Sequence, residues 1–247
     1  MARRSLVAIW FSVLAWVLLG RAWPSAGTDE ATARAVAAQM ERIKVKVALK
    51  QYSIAVKELH KLSLMDPRDP EIPNLAGIVY LQNRQYAPAE AYFKKALKID
   101  KNFARAYNNL GAVYHVRKHH RLAVRQYKKA VEKDPAFLLA YYNMSNAYFA
   151  MGKSLQAVDC MHQLVRLDPE YLLKDHPGVE IGGGEIDTAK KYFYYAKLYA
   201  QAGQADKALL FLQKAIAAGY KDYKAIIADQ DFHQYNEDPR FQALVFR

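Results

Sequence analysis

Columns of matching residues recur every 34 positions through most of this 247-residue chain. Small residues recur at Gly77, Gly111 and Ser145, and a tyrosine follows each of them 3 positions later. A fixed period of this length indicates stacked repeats, in which each unit buries its apolar face only against its neighbours. Further columns hold alanine, a bulky apolar residue and aspartate: Ala55, Ala89, Ala123 and Ala157; Leu59, Phe93, Tyr127 and Met161; Asp66, Asp100, Asp134 and Asp168.

The clearest copy of the repeat lies between Asn102 and Pro135. It reads aromatic-x2-Leu-Gly-x2-Tyr from Tyr107, then Ala-x3-aromatic from Ala123, and it ends with proline. This pattern resembles the tetratricopeptide repeat, whose units are pairs of antiparallel helices. The resemblance implies an all-α protein, a right-handed α-solenoid of helix-turn-helix units with a C-terminal helical cap.

We expect four contiguous units at 36–69, 70–103, 104–137 and 138–171. The register then breaks, because Ala157 and Ala208 are 51 residues apart, which is one period plus a 17-residue insertion. A fifth unit is predicted at 188–222 and capping helices at 223–247. The glycine-rich segment 172–187 is a predicted insertion loop and a candidate contact site, since insertions in repeat proteins map to loops.

Residues 1–27 resemble a secretory signal peptide. Arg3 and Arg4 precede an apolar run at 6–20, and the small residues Ser25 to Gly27 follow it. The run is 15 residues long, shorter than the ~20 residues of a membrane-spanning helix. We therefore expect cleavage and an exported protein, in the periplasm or at the cell surface if the source is bacterial. Retention as an inner-membrane anchor is the alternative. A polar lead-in at 28–35 follows.

The sequence contains no recognised catalytic or cofactor motif. It lacks a Gly-x-Ser-x-Gly elbow, a His-Glu-x-x-His helix and the Lys-Ser/Thr that completes a phosphate-binding loop. The single cysteine, Cys160, excludes a disulfide within the chain. His115 should face the groove, while His119 and His120 fall in the turn between two predicted helices; with no carboxylate nearby, we interpret all three as surface residues rather than as metal ligands. The chain is predicted to be neither an enzyme nor a cofactor protein.

The resemblance implies a concave groove lined by the first helix of each unit. Amide side chains there can donate to and accept from the backbone of an extended peptide. Aromatic side chains would supply apolar pockets, and the cationic residues would favour acidic partners. The predicted groove residues are Asn74, Ile78, Arg105, Asn108, Asn109, His115, Tyr142, Asn143, Asn146, Phe149, Phe193 and Lys197.

These features predict a scaffold that binds a protein or peptide in an exported or envelope context. Two alternatives stay open: a membrane-tethered assembly factor, and a basic solenoid that binds polyanions through its net charge, which is +12 for the whole chain and 12 − 3 = +9 without the three arginines of residues 1–27. Export argues against nucleic acid as the polyanion. The basic segment 42–50 is interpreted as the solvated face of a terminal repeat, with anionic lipid or an acidic partner as the alternative.

Cleavage can be tested directly on the exported protein. Intact-mass and N-terminal sequencing should find a mature chain that lacks residues 1–27, because the small residues at 25–27 form the peptidase site. A secreted or membrane-associated product that retains Arg3 and the apolar run would contradict this prediction and favour the anchor.

Overall fold

The computed structural model describes residues 30–173 and 187–246. In these residues all regular structure is helical and no strand is present, which confirms the all-α class. The described residues form two compact units, unit 1 up to Lys101 and unit 2 from Asn102 onward. The predicted signal segment 1–27 and most of the predicted loop 172–187 lie outside the described residues.

Unit 1 consists of four helices in which successive helices pack against each other. Their bounds are α1, Glu30–Ala48; α2, Tyr52–Met65; α3, Glu71–Gln82; and α4, Tyr86–Ile99. The predicted polar lead-in at 28–35 is wrong from Glu30 onward, because α1 already includes these residues. Glu30 lies in the first turn, where its charge favours the helix dipole, and it pairs with Arg34 at 2.6 Å.

Unit 2 contains three further hairpins and a C-terminal segment. The hairpins are α5, Ala104–Val116, with α6, His120–Lys133; α7, Leu138–Ala150, with α8, Ser154–Leu167; and α9, Thr188–Gln201, with α10, Ala205–Ala217. A 3-10 turn, Tyr171–Leu173, follows α8. The C-terminal segment comprises α11, Tyr223–Ala228, a 3-10 helix, Gln230–Tyr235, and α12, Pro239–Val245.

The glycine column marks where the two helices of a hairpin approach each other most closely. A Cβ placed on Gly77 would lie 2.5 Å from the Phe93 ring, and one on Gly111 would lie 2.6 Å from the Tyr127 ring. These distances are shorter than any non-bonded contact between two carbon atoms in a folded protein. Each aromatic ring therefore fills the space that a side chain at the glycine would need. The four column alanines, Ala55, Ala89, Ala123 and Ala157, are all fully buried.

The hairpin turns share a backbone feature with the same 34-residue period. Lys50, Arg84 and Lys118 have φ of 59°, 57° and 61°, and Gly152 and Gly203 occupy the corresponding turns with φ of 71° and 67°. A left-handed residue at this point reverses the chain within about three residues. Glycine adopts this conformation without strain, whereas the three basic residues each cost on the order of 1 kcal/mol.

The C-terminal segment closes the apolar end of the last hairpin. Ile226, Phe232 and Phe241 are fully buried against α9 and α10. Asp238 caps α12 by accepting from the Arg240 amide at 2.8 Å, and Pro239 takes the first helical position. Among the helices that the structure describes, none has the combination of length and hydrophobicity that spanning a bilayer requires.

Gly111→Ala tests the close crossing of α5 and α6. The new methyl group meets the buried Tyr127 ring, so the free energy of unfolding should fall by ~1–3 kcal/mol, even though alanine is the better helix former by up to ~1 kcal/mol. Urea unfolding followed by circular dichroism measures the change. Gln213→Ala on the exposed side of α10 serves as the control and should stay within ~0.5 kcal/mol of the wild type. Equal stability of Gly111→Ala and the control would contradict the crossing geometry.

Candidate functional site

Among the first helices of the unit 2 hairpins, α7 lies next to α5, and side chains of α7 also contact side chains of α9. A chain of amide hydrogen bonds joins the first two of them. Asn143 Nδ2 donates to Asn108 Oδ1 at 3.0 Å, and Asn108 Nδ2 donates to Asn109 Oδ1 at 3.3 Å. Asn108 is buried, whereas Asn109 and Asn143 are half-buried. The structure therefore brings these three predicted groove residues together.

Beyond this amide chain, the same side of α7 becomes aromatic toward α9. Phe149 stacks on Tyr194, with ring centroids 5.6 Å apart, and both rings are half-buried. Asn146 lies between the amides and the rings on α7. Its Oδ1 is shielded from solvent and accepts no hydrogen bond from the residues that the structure describes. Such an atom costs about 1–3 kcal/mol until a donor reaches it.

We call this surface of unit 2 the first-helix face. It presents polar amides on one side and flat aromatic rings on the other, and Arg105 is exposed at the start of α5. Its members are Arg105, Asn109, Asn143, Asn146, Phe149 and Tyr194. This combination suits a ligand with alternating polar and apolar groups, since amides both donate and accept while rings cover apolar area.

Tyr142 was predicted to line a groove, and the structure shows it partly covered by α9. Lys191 Nζ donates to the Tyr142 hydroxyl at 3.3 Å and also lies 5.1 Å from the centre of the Tyr142 ring. The Tyr171 ring contacts the same side chain, with centroids 6.1 Å apart. Tyr142 thus serves mainly as a contact between α7 and α9.

Several predicted groove residues turn out to be buried. Asn74 is completely inaccessible in α3 of unit 1, and Ile78 is half-buried against the unit 1 core. In unit 2, Asn108 and His115 are also buried. The repeat pattern alone assigns Asn74, Asn108 and His115 to an open surface, whereas the structure buries all three side chains, so none of them is open to a ligand in it.

Phe193 and Lys197 were also predicted to line the groove, and the C-terminal segment covers both. Phe193 stacks on Tyr220 with centroids 4.4 Å apart and lies 5.9 Å from the Phe232 ring. Lys197 forms ion pairs with Asp229 at 2.6 Å and Asp231 at 3.3 Å. Helix α9 uses these two side chains to hold the C-terminal segment in place, so they do not provide open binding positions.

Three predicted groove residues were expected to attract acidic partners by positive charge: Arg105, His115 and Lys197. In the structure, the last two do not offer a free positive charge. Lys197 is neutralised by two aspartates, and burial next to His120 lowers the pKa of His115 to about 4. His115 is therefore uncharged at neutral pH. Its Nδ1 lies 3.1 Å from Nδ1 of His120, a distance at which one ring donates and the other accepts.

Tyr194 is the site residue that sequence reasoning missed. A signal for it was present, because adding the 51-residue step across the insertion to Asn143 leads to Tyr194. The same step from Tyr142 and Asn146 leads to Phe193 and Lys197, which the cap covers. Only the packing of the C-terminal segment distinguishes the covered positions from the open one.

The described residues offer no separate site for metal or thiol chemistry. No group of three or more histidine, cysteine or acidic side chains in 30–173 and 187–246 has the arrangement of a metal site. Burial raises the pKa of the Cys160 thiol to about 12, and a thiol that stays protonated is a poor nucleophile.

Comparison with protein families agrees with the repeat pattern. Models of the tetratricopeptide repeat match residues 74–103, 92–125 and 126–159. Residues 74–159 therefore consist of tetratricopeptide repeats. The matched segments run from within α3 to the first part of α8. No curated protein matches the sequence.

Solved tetratricopeptide repeat structures share the fold at low sequence identity. A protein described as pilF of Pseudomonas aeruginosa is 15% identical, with a TM-score of 0.57, and the match covers 87% of this chain and 90% of that chain. MamA from Desulfovibrio magneticus RS-1 is 20% identical, with a TM-score of 0.50, and the match covers 74% and 94%. At this identity the likeness establishes the fold and no more.

The buried His115 predicts a loss of stability in acid. Its pKa is lowered from 6.5 to about 4 in the folded chain, so the unfolded chain binds the proton more readily between these values. The free energy of unfolding should fall by about 2–3 kcal/mol from pH 7 to pH 4.5 in excess of the loss in His115→Gln, as measured by urea unfolding. His119→Gln, on the exposed side of the same turn, should retain the wild-type dependence. Parallel curves for the wild type and His115→Gln would contradict the assignment.

Proposed function

We propose that this tetratricopeptide repeat protein is a non-catalytic scaffold that binds a peptide or protein on the first-helix face of unit 2. The observation that carries the proposal is the juxtaposition of the half-buried amides Asn109 and Asn143 with the stacked pair Phe149 and Tyr194. A hydrogen-bonded amide chain fixes the side chains in position, so little rotamer entropy remains to be lost on binding.

A peptide in extended conformation matches this surface. Its backbone offers a donor and an acceptor at each residue, which the amide edge can pair, and its side chains alternate in direction. Side chains that point toward the protein would contact the rings of Phe149 and Tyr194.

The cellular setting is part of the proposal. The charge and hydrophobicity pattern of residues 1–27 supports export, with the periplasm or cell surface as the location in a bacterium, or an inner-membrane anchor if the segment is retained. A scaffold of this kind would act on other exported or envelope proteins. Retention of the segment would make the same protein a membrane-tethered assembly factor without changing the chemistry of the first-helix face.

A random peptide display library tests the binding surface with a defined probe. Peptides enriched on the full chain should bind the wild type at least tenfold more tightly than Asn109→Ala with Asn143→Ala, and than Tyr194→Ala, because each change removes contacts on the order of 1–2 kcal/mol. Isothermal titration gives the affinities. Leu155→Ala, on the exposed side of α8, is the control and should bind like the wild type.

Two results would contradict this assignment. Enriched peptides that bind all variants equally would place the contact elsewhere on the chain. Binding that instead falls steeply with salt, and that heparin or duplex DNA reproduces without the amides, would favour the polyanion alternative, since phosphate and sulfate contacts release counterions. Thermal melts of each variant must match the wild type within a few degrees for the comparison to count.

A further inference from the structure

Helix α1 carries two apolar stripes on opposite sides. Val36, Met40, Ile43 and Val47 form the buried stripe that packs in the unit 1 core. At 100° per residue, a second stripe points the opposite way and is exposed: Ala31, Ala38 and Val45 in α1, continued by Leu49 directly after it. Val45 and Leu49 are 59% and 63% accessible. The first repeat of an array is expected to have a polar outer face, so this exposure needs a different explanation.

The apolar exposure continues around the turn into α2. Lys50, in the left-handed conformation, reverses the chain, and Ile54 in the first turn of α2 is 46% accessible. Three large apolar side chains are thus exposed within ten residues at one end of the α1–α2 hairpin. Single exposed apolar residues are ordinary, but a group of them marks a contact surface.

The same end of the hairpin is strongly basic. Residues 42–57 contain five basic residues and no acidic residue. Lys44 pairs with Glu41 at 2.7 Å, and Lys46 pairs with Glu58 across the hairpin. The other three, Arg42, Lys50 and Lys57, form no ion pair with the residues that the structure describes.

We name this surface the basic tip and define it by Arg42, Val45, Leu49, Lys50, Ile54 and Lys57. We propose that the basic tip rests on the surface of a bilayer that contains anionic lipid. Val45, Leu49 and Ile54 enter the boundary between headgroups and acyl chains, and the three unpaired cations contact the anionic headgroups. Exposed apolar side chains next to lysine and arginine form the combination that interfacial helices use.

A second copy of this chain is a poorer occupant of the basic tip. Two tips in contact would bring the unpaired cations of both copies together, and the repulsion would oppose the modest apolar area that is buried. A bilayer surface with anionic lipid supplies the complementary charge and the apolar layer at once. The proposal does not depend on peptide binding at the first-helix face, which lies in unit 2.

The sequence upstream of α1 is compatible with this contact. Nine residues, 21–29, separate the apolar run 6–20 from Glu30, and nine residues span at most ~32 Å. A chain that retains the run in a bilayer would therefore hold Glu30, at the start of α1, within about this distance of the lipid surface.

A fluorophore that reports polarity tests the location of the tip in the full-length chain. Leu49→Cys in a Cys160→Ser background is labelled with NBD and mixed with phosphatidylcholine vesicles that contain 30% phosphatidylglycerol or none. We expect a blue shift and quenching by brominated lipid in the anionic vesicles only, both reversed in 0.5 M salt. A label at Leu155→Cys, which is 79% accessible on α8, should stay in water. The emission of the label at position 49 reports the location of the basic tip whether or not the apolar run 6–20 also inserts into the bilayer.

Charge variants complete the test. Arg42→Gln with Lys50→Gln and Lys57→Gln should weaken the lipid contact of the label at 49 by roughly 100-fold. The matched control, Lys128→Gln with Lys153→Gln and Lys224→Gln, removes the same charge from exposed positions elsewhere and should leave the contact intact. Equal emission at 49 and 155 in anionic vesicles would overturn the proposal. A blue shift without lipid that grows with protein concentration would also overturn it, because it would identify a second copy as the occupant.

Discussion

The close crossing of the two helices in a hairpin is the contact on which the rest of each unit depends. Where glycine faces an aromatic ring, as at Gly111 and Tyr127, the helix axes approach until the ring touches backbone. The aromatic side chain then fills the space that the missing Cβ leaves, and the fully buried alanines of the second helices allow similar contact from the other side. With the crossings fixed in this way, the outward side chains of the first helices occupy defined positions, which a preorganised binding surface requires.

The two terminal hairpins differ in how much apolar surface they expose, and this difference bears on function. At the C-terminal end, Phe232 and Phe241 cover the last hairpin, and Asp229 and Asp231 neutralise Lys197. The first hairpin instead exposes Val45 and Leu49 among unpaired cations. An end that is sealed by the protein's own chain has no need of a partner. An end that exposes apolar side chains beside positive charge keeps a contact available for another surface.

The amide side chains at the first-helix face of unit 2 differ in whether the fold itself supplies their hydrogen-bond partners. Asn108 is buried and bonded to amides on both sides, so it acts as an internal support for Asn109 and Asn143. Asn146 Oδ1 finds no donor among the described residues. The contrast has an energetic consequence, since a buried amide group without a partner destabilises the folded chain.

The sequence by itself determined the repeat. The spacing of Gly77, Gly111 and Ser145, of the alanine column and of the aspartates predicted helix pairs, and the structure has them because only small residues fit at the crossings. It also predicted that Asn109 and Asn143 take equivalent places on neighbouring units, because they are 34 residues apart; that Asn108 bonds to both is seen only in the structure. Only the tertiary structure decided which of the equivalent positions on successive repeats remain accessible to solvent. Asn74 and His115 are buried, the C-terminal segment covers Phe193 and Lys197, and Tyr194 stays half-buried. These outcomes depend on contacts between segments far apart in sequence, which a local period does not encode.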